Sequence, residues 1–483
     1  MAAVDYDVII VGAGISGINM AYRLKERNPG LTYTVLEGRH EIGGTWSLFK
    51  YPGIRSDSDL YTFGFAWRPW IEKKSIAEGS MIMDYLRETV AEEGLDKSIQ
   101  FNTHVDHMNW SSKDKSWTAQ VTQNGKPKKI TGRFIFFGTG YYNYEEPLQT
   151  TIPGIENFAG KVIHPQFWPE DLDYSGKNVV VIGSGATGVT LLPSMADKAA
   201  HVTMLQRSPS YILSVPGNGW FEDIVRFVFP AMMAHRIIRA KWIFSAYMLI
   251  GFCKRMPTIS RWLFLTLAWL QLPKGTSVEK DFTPKYNPWE QRMCLCPDAD
   301  FYRAIRKGKT SVVTGTIENI TKKTIKLHNG QELNPDIIVT ATGLKLRALG
   351  GVALSVDGVP YAGTDKVAWK GCMLEDLPNA ALAFGYVDAS WTLGADATAQ
   401  LISRMLNAMQ DEGVKAITPK LTDDEQKNMV RKPFISLNST YVKAAINTLP
   451  KTGDGQWVAR STYYKDIESA AFGDIKTGIV WEE

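Results

Sequence analysis

Two stretches of the chain share one pattern: a short apolar run, a glycine-rich turn, and then apolar positions recurring every three to four residues. In DYDVIIVGAGISGINMAYRL, residues 8–11 have the uniform apolarity of a parallel strand buried on both faces, and the residues after Gly14 have the period of a helix. KNVVVIGSGATGVTLLP repeats the pattern near residue 182. Each stretch is followed further on by an apolar strand ending in Thr-Gly, as FIFFGTGYY around Gly140 and DIIVTATGL around Gly343. A strand, a Gly-x-Gly-x-x-Gly turn and a helix, occurring twice, predict an α/β protein with two Rossmann-like dinucleotide-binding domains.

The same pattern divides the chain. Residues 1–140 and 385–483 are assigned to the first domain, and 177–215 with 286–384 to the second. Residues 141–176, rich in Pro, Gly and aromatics, form a linker long enough to carry function. After Tyr211 the second domain is interrupted by long apolar stretches of helical spacing, so residues 216–285 are read as a helical insertion. Strands resume between Thr310 and Val339, with Asn329-Gly330 as a hairpin turn. The insertion fits a bundle capping the sheet, a wall of a substrate tunnel or a membrane-grazing surface, and periodicity does not separate these. Arg236, Arg239, Lys241, Lys254, Arg255 and Arg261 interrupt its apolar runs before they reach spanning length, so no transmembrane helix is expected.

Composition narrows the function. With 483 residues, 44% of them apolar and 22% charged, the chain can build more than one core and bury a large cofactor. A net charge of +4 from scattered cations gives no case for a nucleic-acid partner, and oligomeric state is not legible. Cys253, Cys294, Cys296 and Cys372 form neither a paired metal spacing nor Cys-x-x-Cys. No metal site is expected, and the usage fits a reducing cytoplasm. The N-terminus enters a strand directly, without the pattern of a secretion signal.

The strands that come after the two turns end in opposite charges. Gly12, Gly14 and Gly17 permit a sharp turn, pyrophosphate approach and tight helix packing, and the next strand, YTVLE, ends in Glu37. An acidic residue there accepts the hydroxyls of an adenosine ribose and repels a 2′-phosphate, which suits FAD. Gly183, Gly185 and Gly188 form the second turn, but its next strand, HVTMLQ, runs into Arg207 and Ser208. A guanidinium binds phosphate oxygens bidentately, so this unit suits NADPH; the plainer alternative is two NAD-like sites with an incidental arginine. Two such sites place a hydride donor beside a flavin. Reduced flavin then passes electrons to O₂ or to a disulfide, and no cysteine pair lies near either turn, which favours O₂.

Family resemblance enters through FAGKVIHPQFWP. Its Phe158, Gly160, His164, Trp168 and Pro169 match every fixed position of the F-x-G-x-x-x-H-x-x-x-W-P fingerprint of type I Baeyer–Villiger monooxygenases. A second signature of that family is present as Gly44, Trp46, Tyr51, Pro52, Gly53 and Asp57. GGTWSLFKYPGIRSDSDLYTFGF, IHPQFWPEDLDY and YNPWEQRMCL resemble the ethionamide-activating monooxygenase subgroup, and the likeness extends over nearly the whole chain.

The resemblance implies an FAD- and NADPH-dependent enzyme that uses O₂, through a peroxyflavin, to convert ketones to esters or lactones. Its substrates would be small hydrophobic ketones or thioethers, with sulfoxidation as a side activity. Oxygenation mainly of S or N, and a flavin-bearing redox sensor without oxygen transfer, are the competing readings. Gly44, Thr45, Trp46 and Asp57 join the cofactor-binding residues. Arg292 in NPWEQRMCL falls at the catalytic arginine, with Asp57 its expected partner and Asp59 the nearby competitor. Gln291 stands where family members carry a lysine for the 2′-phosphate. His164 is expected to act structurally at a hinge, and Trp168 to pack. Ser390, Trp391 and Thr392 in GYVDASWTLGAD are expected near the isoalloxazine and substrate pocket.

Overall fold

The computed structural model describes residues 3–435 and 439–483. Along the chain, the first unit opens with β1 (Tyr6–Val11), α1 (Ile15–Arg27) and β2 (Tyr33–Leu36), followed by the one-turn helix α2 (Leu60–Phe63) and the long strand β3 (Lys126–Phe137). The second contains β4 (Asn178–Ile182), α3 (Ala186–Met195) and β5 (His201–Gln206). Helices α4 (Trp220–Val228), α5 (Ala231–Arg255) and α6 (Pro257–Gln271) then precede β6 (Ile337–Thr340), and α7 (Trp391–Glu412) returns to the first unit.

β1 lies between β2 and β3, parallel to both, with Ile10 opposite Val35 on one side and Phe136 on the other. Val8, Ile9 and Ile10 have no exposed surface, as a strand covered on both faces requires. α1 and α7 pack against one another, and Arg23 on α1 makes a two-point ion pair with Asp396 on α7, Nε to Oδ1 at 2.8 Å and Nη2 to Oδ2 at 2.9 Å. Both groups are buried, and each charge is tolerated because the other satisfies it.

The second sheet has five strands, all parallel, in the order Thr310–Thr314, β5, β4, β6, Lys161–Ile163. Its edge strand is part of the fingerprint segment, so the expected linker is partly built into this sheet. The hairpin at Asn329-Gly330 forms between Ile325–Leu327 and Glu332–Leu333, with Gly330 at φ +81°.

One expected boundary moves. The sequence pattern assigns residues up to 384 to the second unit, yet Ala353–Val356 pairs with Thr103–Ser111, and Ala380–Leu382 pairs with β3, both in the first sheet. The crossover is earlier, where Asn143 donates to the Lys345 carbonyl and Arg347 to that of Tyr141, so the outgoing and returning segments are bonded side by side. Strands this short carry no periodicity that would tell one sheet from another.

The insertion is helical. It reaches across to the first unit: the buried Arg239 on α5 donates to the carbonyls of Tyr61, Thr62 and Gly64 at 2.9, 3.1 and 2.9 Å. These include the unpaired carbonyls at the end of α2, so the guanidinium acts as its C-terminal cap.

Candidate active site

Both glycine turns close by the same steric rule. A β-carbon at Gly17 would lie 1.9 Å from the Gly12 carbonyl oxygen, and one at Gly188 would lie 2.5 Å from that of Gly183. Gly12 and Gly183 take φ of +95° and +132°, conformations that side chains resist. Gly14 and Gly185 cap α1 and α3, and neither helix has a side-chain cap or an acidic first turn. Their leading amides therefore stand free for an anion, aided by the helix dipole.

At the end of β2, the Glu37 carboxylate accepts from the amides of Ala13 at 2.7 Å and Arg39 at 2.9 Å. Burial pushes its pKa up, and the two amide hydrogen bonds and the Arg39 charge oppose that. Arg207 and Ser208, at the end of β5, are exposed; the Ser208 carbonyl accepts from Ser184 Oγ, which draws the two strand ends together.

Between the units, residues 44–59 form a loop of the first that docks on the second. Phe49 and Tyr51 are buried in the second unit's core with Trp168, Leu191 and Met195. A β-carbon on Gly53, at φ +72°, would lie 1.8 Å from Ser194 Oγ on α3. Arg55 pairs with Asp300 across the same boundary. The loop then presents Asp57 to Arg292: Nε meets Oδ2 at 3.0 Å and Nη2 meets Oδ1 at 3.0 Å. Asp59 is otherwise engaged, capping α2 through the Thr62 amide at 2.8 Å and hydroxyl at 2.7 Å. The geometry thus separates the two carboxylates, with Asp57 on the arginine and Asp59 in the cap.

Asp57 raises the Arg292 pKa further above its ordinary value, so the guanidinium stays charged at any working pH. Both side chains remain nearly two-fifths exposed, at 39% and 38%. Arg292 borders a cavity of about 420 Å³ together with Gln291, Phe384, Tyr386, Phe434 and Arg460. A fixed cation, half open to an aromatic-walled cavity, can stabilise developing negative charge on a bound molecule.

The residues match known proteins along their whole length. FAD-containing monooxygenase EthA of Mycobacterium tuberculosis is 44% identical over 471 residues, 97% of this chain and 96% of that one. Probable FAD-binding monooxygenase AlmA of Acinetobacter baylyi is 42% identical over 474 residues, 97% and 95% of the two chains. Residues 71–249 match the family described as flavin-binding monooxygenase-like, and residues 10–71 an NAD(P)-binding Rossmann-like domain. The chain belongs to the flavin-binding monooxygenase family. In fold the monooxygenase is similar to oxidized steroid monooxygenase bound to NADP, with TM-score 0.75 at 20% identity, covering 99% of each chain. It is also similar to an open structure of cyclohexanone monooxygenase, at 0.74 and 19% over 99% of each.

In this monooxygenase the remaining expected residues fall into three groups. Gly44, at φ +55°, heads the short helix Thr45–Leu48 close to Gly14, and Thr45 bonds to the Tyr144 hydroxyl. Trp46 packs edge-on to Phe63, with centroids 5.5 Å apart. These three border the first glycine turn.

The fingerprint residues have structural surroundings. Phe158 and Trp168 are buried in the second unit, and Pro169 is exposed beside Trp168. A β-carbon on Gly160 would lie 2.4 Å from the Asp336 carbonyl oxygen, which accounts for a glycine there. His164 Nδ1 accepts from the Gln166 amide at 3.2 Å, and burial pushes the imidazole pKa down. His164 thus stands at the turn between the edge strand Lys161–Ile163 and the short helix Pro165–Phe167.

Ser390 and Trp391 lie one layer behind the residues that line this cavity. Ser390 Oγ bonds to Thr62 Oγ1 at 2.7 Å, and Trp391 Nε1 donates to Ser16 Oγ at 2.8 Å, joining α7 to α1 and α2. Thr392 is buried and donates to the Phe63 carbonyl. Trp391 backs two residues of the cavity wall, Phe384, at 5.3 Å between centroids, and Gly385, on which a β-carbon would lie 2.6 Å from the indole ring.

Sequence reasoning missed Arg55, Gly53's close approach, the Arg239 cap, and the tyrosines beside the ion pair, where Tyr141 and Tyr142 share a 2.8 Å hydroxyl contact. Gly53 lay inside a recognised signature and could have been read as a contact point. The others depend on partners over one hundred and fifty residues away or on adjacent aromatics that look like packing.

Proposed function

We propose that this monooxygenase holds FAD at Gly12, Gly14, Gly17 and Glu37 and NADPH at Gly183, Gly185, Gly188, Arg207 and Ser208, and oxygenates ketones to esters or lactones. The fit favours this: free helix-leading amides at both turns suit pyrophosphates, a fixed carboxylate suits ribose hydroxyls, and an exposed guanidinium suits a 2′-phosphate. FAD, when bound, supplies the capacity to take hydride from NADPH and hand its electrons to O₂.

The chain's residues supply the rest. Arg292 offers positive charge where a carbonyl becomes a tetrahedral oxyanion, the step that separates ketone oxygenation from transfer to sulfur. Asp57 orients the guanidinium through both its oxygens and moderates its charge. Phe384, Tyr386 and Phe434 give the cavity an apolar face for a hydrophobic substrate.

The two-point Arg292–Asp57 pair at the cavity is the observation that carries this reading. A second reading is oxygenation mainly of sulfur or nitrogen, which calls on no oxyanion for Arg292 to stabilise. Purified enzyme supplied with aryl and alkyl ketones and with thioethers, each followed by NADPH consumption and product identity, separates the two. Ester formation with matched NADPH consumption is expected; sulfoxide alone across the panel overturns the ketone reading.

A further inference from the structure

The insertion helices turn apolar side chains outward. On α4, Trp220, Ile224 and Phe227 follow helical spacing and face solvent, Phe227 being 92% exposed and Trp220 77%. The neighbouring α5 exposes Phe244 and Met248 one turn apart. α6, joined to α5 through Met256, exposes Ile259, Trp262 and Trp269, the two tryptophans at 67% and 63%. Their inward faces already carry the contacts that dock the insertion, such as Arg239 on α2 and the buried Phe264. Isolated exposed apolar residues are ordinary, but three consecutive helices each with an outward apolar stripe mark an interaction surface.

Charge identifies what it meets. On the three helices the only acidic residues are Glu222, which pairs with Lys241, and the exposed Asp223, both in the first turn of α4; from residue 224 to residue 278 the sequence contains no Asp or Glu, against eight Lys and Arg. Five of these cations are engaged: Arg226, Arg239 and Arg261 donate to backbone carbonyls, Lys241 pairs with Glu222 and Lys254 with Asp388. Arg236, Arg255 and Lys274 are exposed, with no hydrogen bond or ion pair among the described residues. Arg236 and Arg255 stand at either end of the outward apolar stripe of α5.

We propose that α4, α5 and α6 dock the enzyme on an anionic lipid bilayer, lying in the headgroup region with their tryptophans and phenylalanines inserted. Aromatic side chains flanked by unpaired cations are the composition that such an interface selects. No described helix is long and apolar enough to cross a membrane, so the contact is to one leaflet. A second copy of the chain fits less well, because a twofold contact through this face sets like charges against one another. The proposal does not depend on which substrate is oxygenated.

The test uses the full-length, flavin-loaded enzyme sedimented with vesicles of phosphatidylcholine alone or with about one third phosphatidylglycerol. Roughly tenfold more protein is expected on the anionic vesicles, falling steeply at about 0.5 M salt, with tryptophan emission shifted to the blue. The triple variant R236Q/R255Q/K274Q is expected to bind both vesicles alike. F227S/W262S/W269S is expected to lose binding to both while oxidising NADPH normally in vesicle-free solution. Failure of the wild type to bind either vesicle overturns the proposal, as does equal binding by the apolar variant. A dimer in ultracentrifugation that ignores vesicles and dissociates in F227S/W262S/W269S assigns the face to a second copy instead.

Discussion

The first glycine turn is followed by a buried carboxylate, Glu37, already fixed by the amides of Ala13 and Arg39; the second is followed by an exposed arginine, Arg207, with no hydrogen bond or ion pair among the described residues. The backbones up to that point are near copies, with a cap glycine at the head of each helix and a carbonyl that forbids a β-carbon at the third glycine. The contrast therefore lies in preorganisation. A preset buried acceptor suits a nucleotide that stays through many turnovers, and an unheld surface cation suits one that arrives, reacts and leaves.

The most damaging way to probe this contrast is to fill the turns. Gly17→Ala puts a methyl 1.9 Å from the Gly12 carbonyl oxygen, so the purified variant is expected to lack flavin absorbance altogether. Gly188→Ala, at 2.5 Å, is expected to remain yellow and to lose saturation by NADPH. Equal flavin loss in both would remove the asymmetry. Next in size is the arginine between the units. Arg292→Ala is expected to lower oxygenated product by about a hundredfold or more while NADPH is still consumed and hydrogen peroxide released. Arg292→Lys, which keeps charge but cannot engage both Asp57 oxygens, should recover only part of that, and a product yield equal to wild type in either variant would refute the role.

A smaller change is expected from Arg207→Ala, which should raise the KM for NADPH roughly tenfold and leave that for NADH and the flavin content unaltered. Coenzyme titrations of wild type and variant decide it; a wild type that uses both equally excludes Arg207 as the discriminator. The smallest effect concerns the loop between the units. Burial raises the Asp59 pKa from the usual 3.8 to about 6, so across that interval the folded protein keeps a proton that the unfolded chain has released. Its contribution is thus most favourable below the unfolded value and is lost as pH rises through the folded one. Asp59→Asn still caps α2 and does not titrate, so it is expected to stabilise by about 1 kcal/mol at pH 8 and less at pH 5, as read from denaturant melts. A gain that grows on acidification would contradict the assignment.

Much of the contrast is legible in the sequence. Gly-x-Gly-x-x-Gly after an apolar run fixes a strand, turn and helix through local sterics, and the charge ending the next strand is read directly as Glu37 or Arg207. Arg292 and Asp57 were found because signatures carry them, although 235 residues separate them. The strands Ala353–Val356 and Ala380–Leu382 went to the wrong sheet because four or three residues cannot announce a distant partner. Ser390 and Trp391 were expected near the isoalloxazine and substrate pocket; their polar atoms bond to Thr62 and Ser16, partners that no local pattern announces. The outward stripes of the insertion were visible as helical spacing, yet spacing does not say which side of a helix meets solvent.

The contact at Gly53 also limits how the halves of the molecule move. With no room for one carbon between that residue and Ser194, the loop already acts as a backstop to any further inward tilt of α3. Relative travel must then run sideways or outward from this point, and a methyl placed there would work as a shim. Asp57, which aims the arginine, lies four residues further along this loop, so Gly53→Ala is expected to disturb the setting of that charge from outside the cavity.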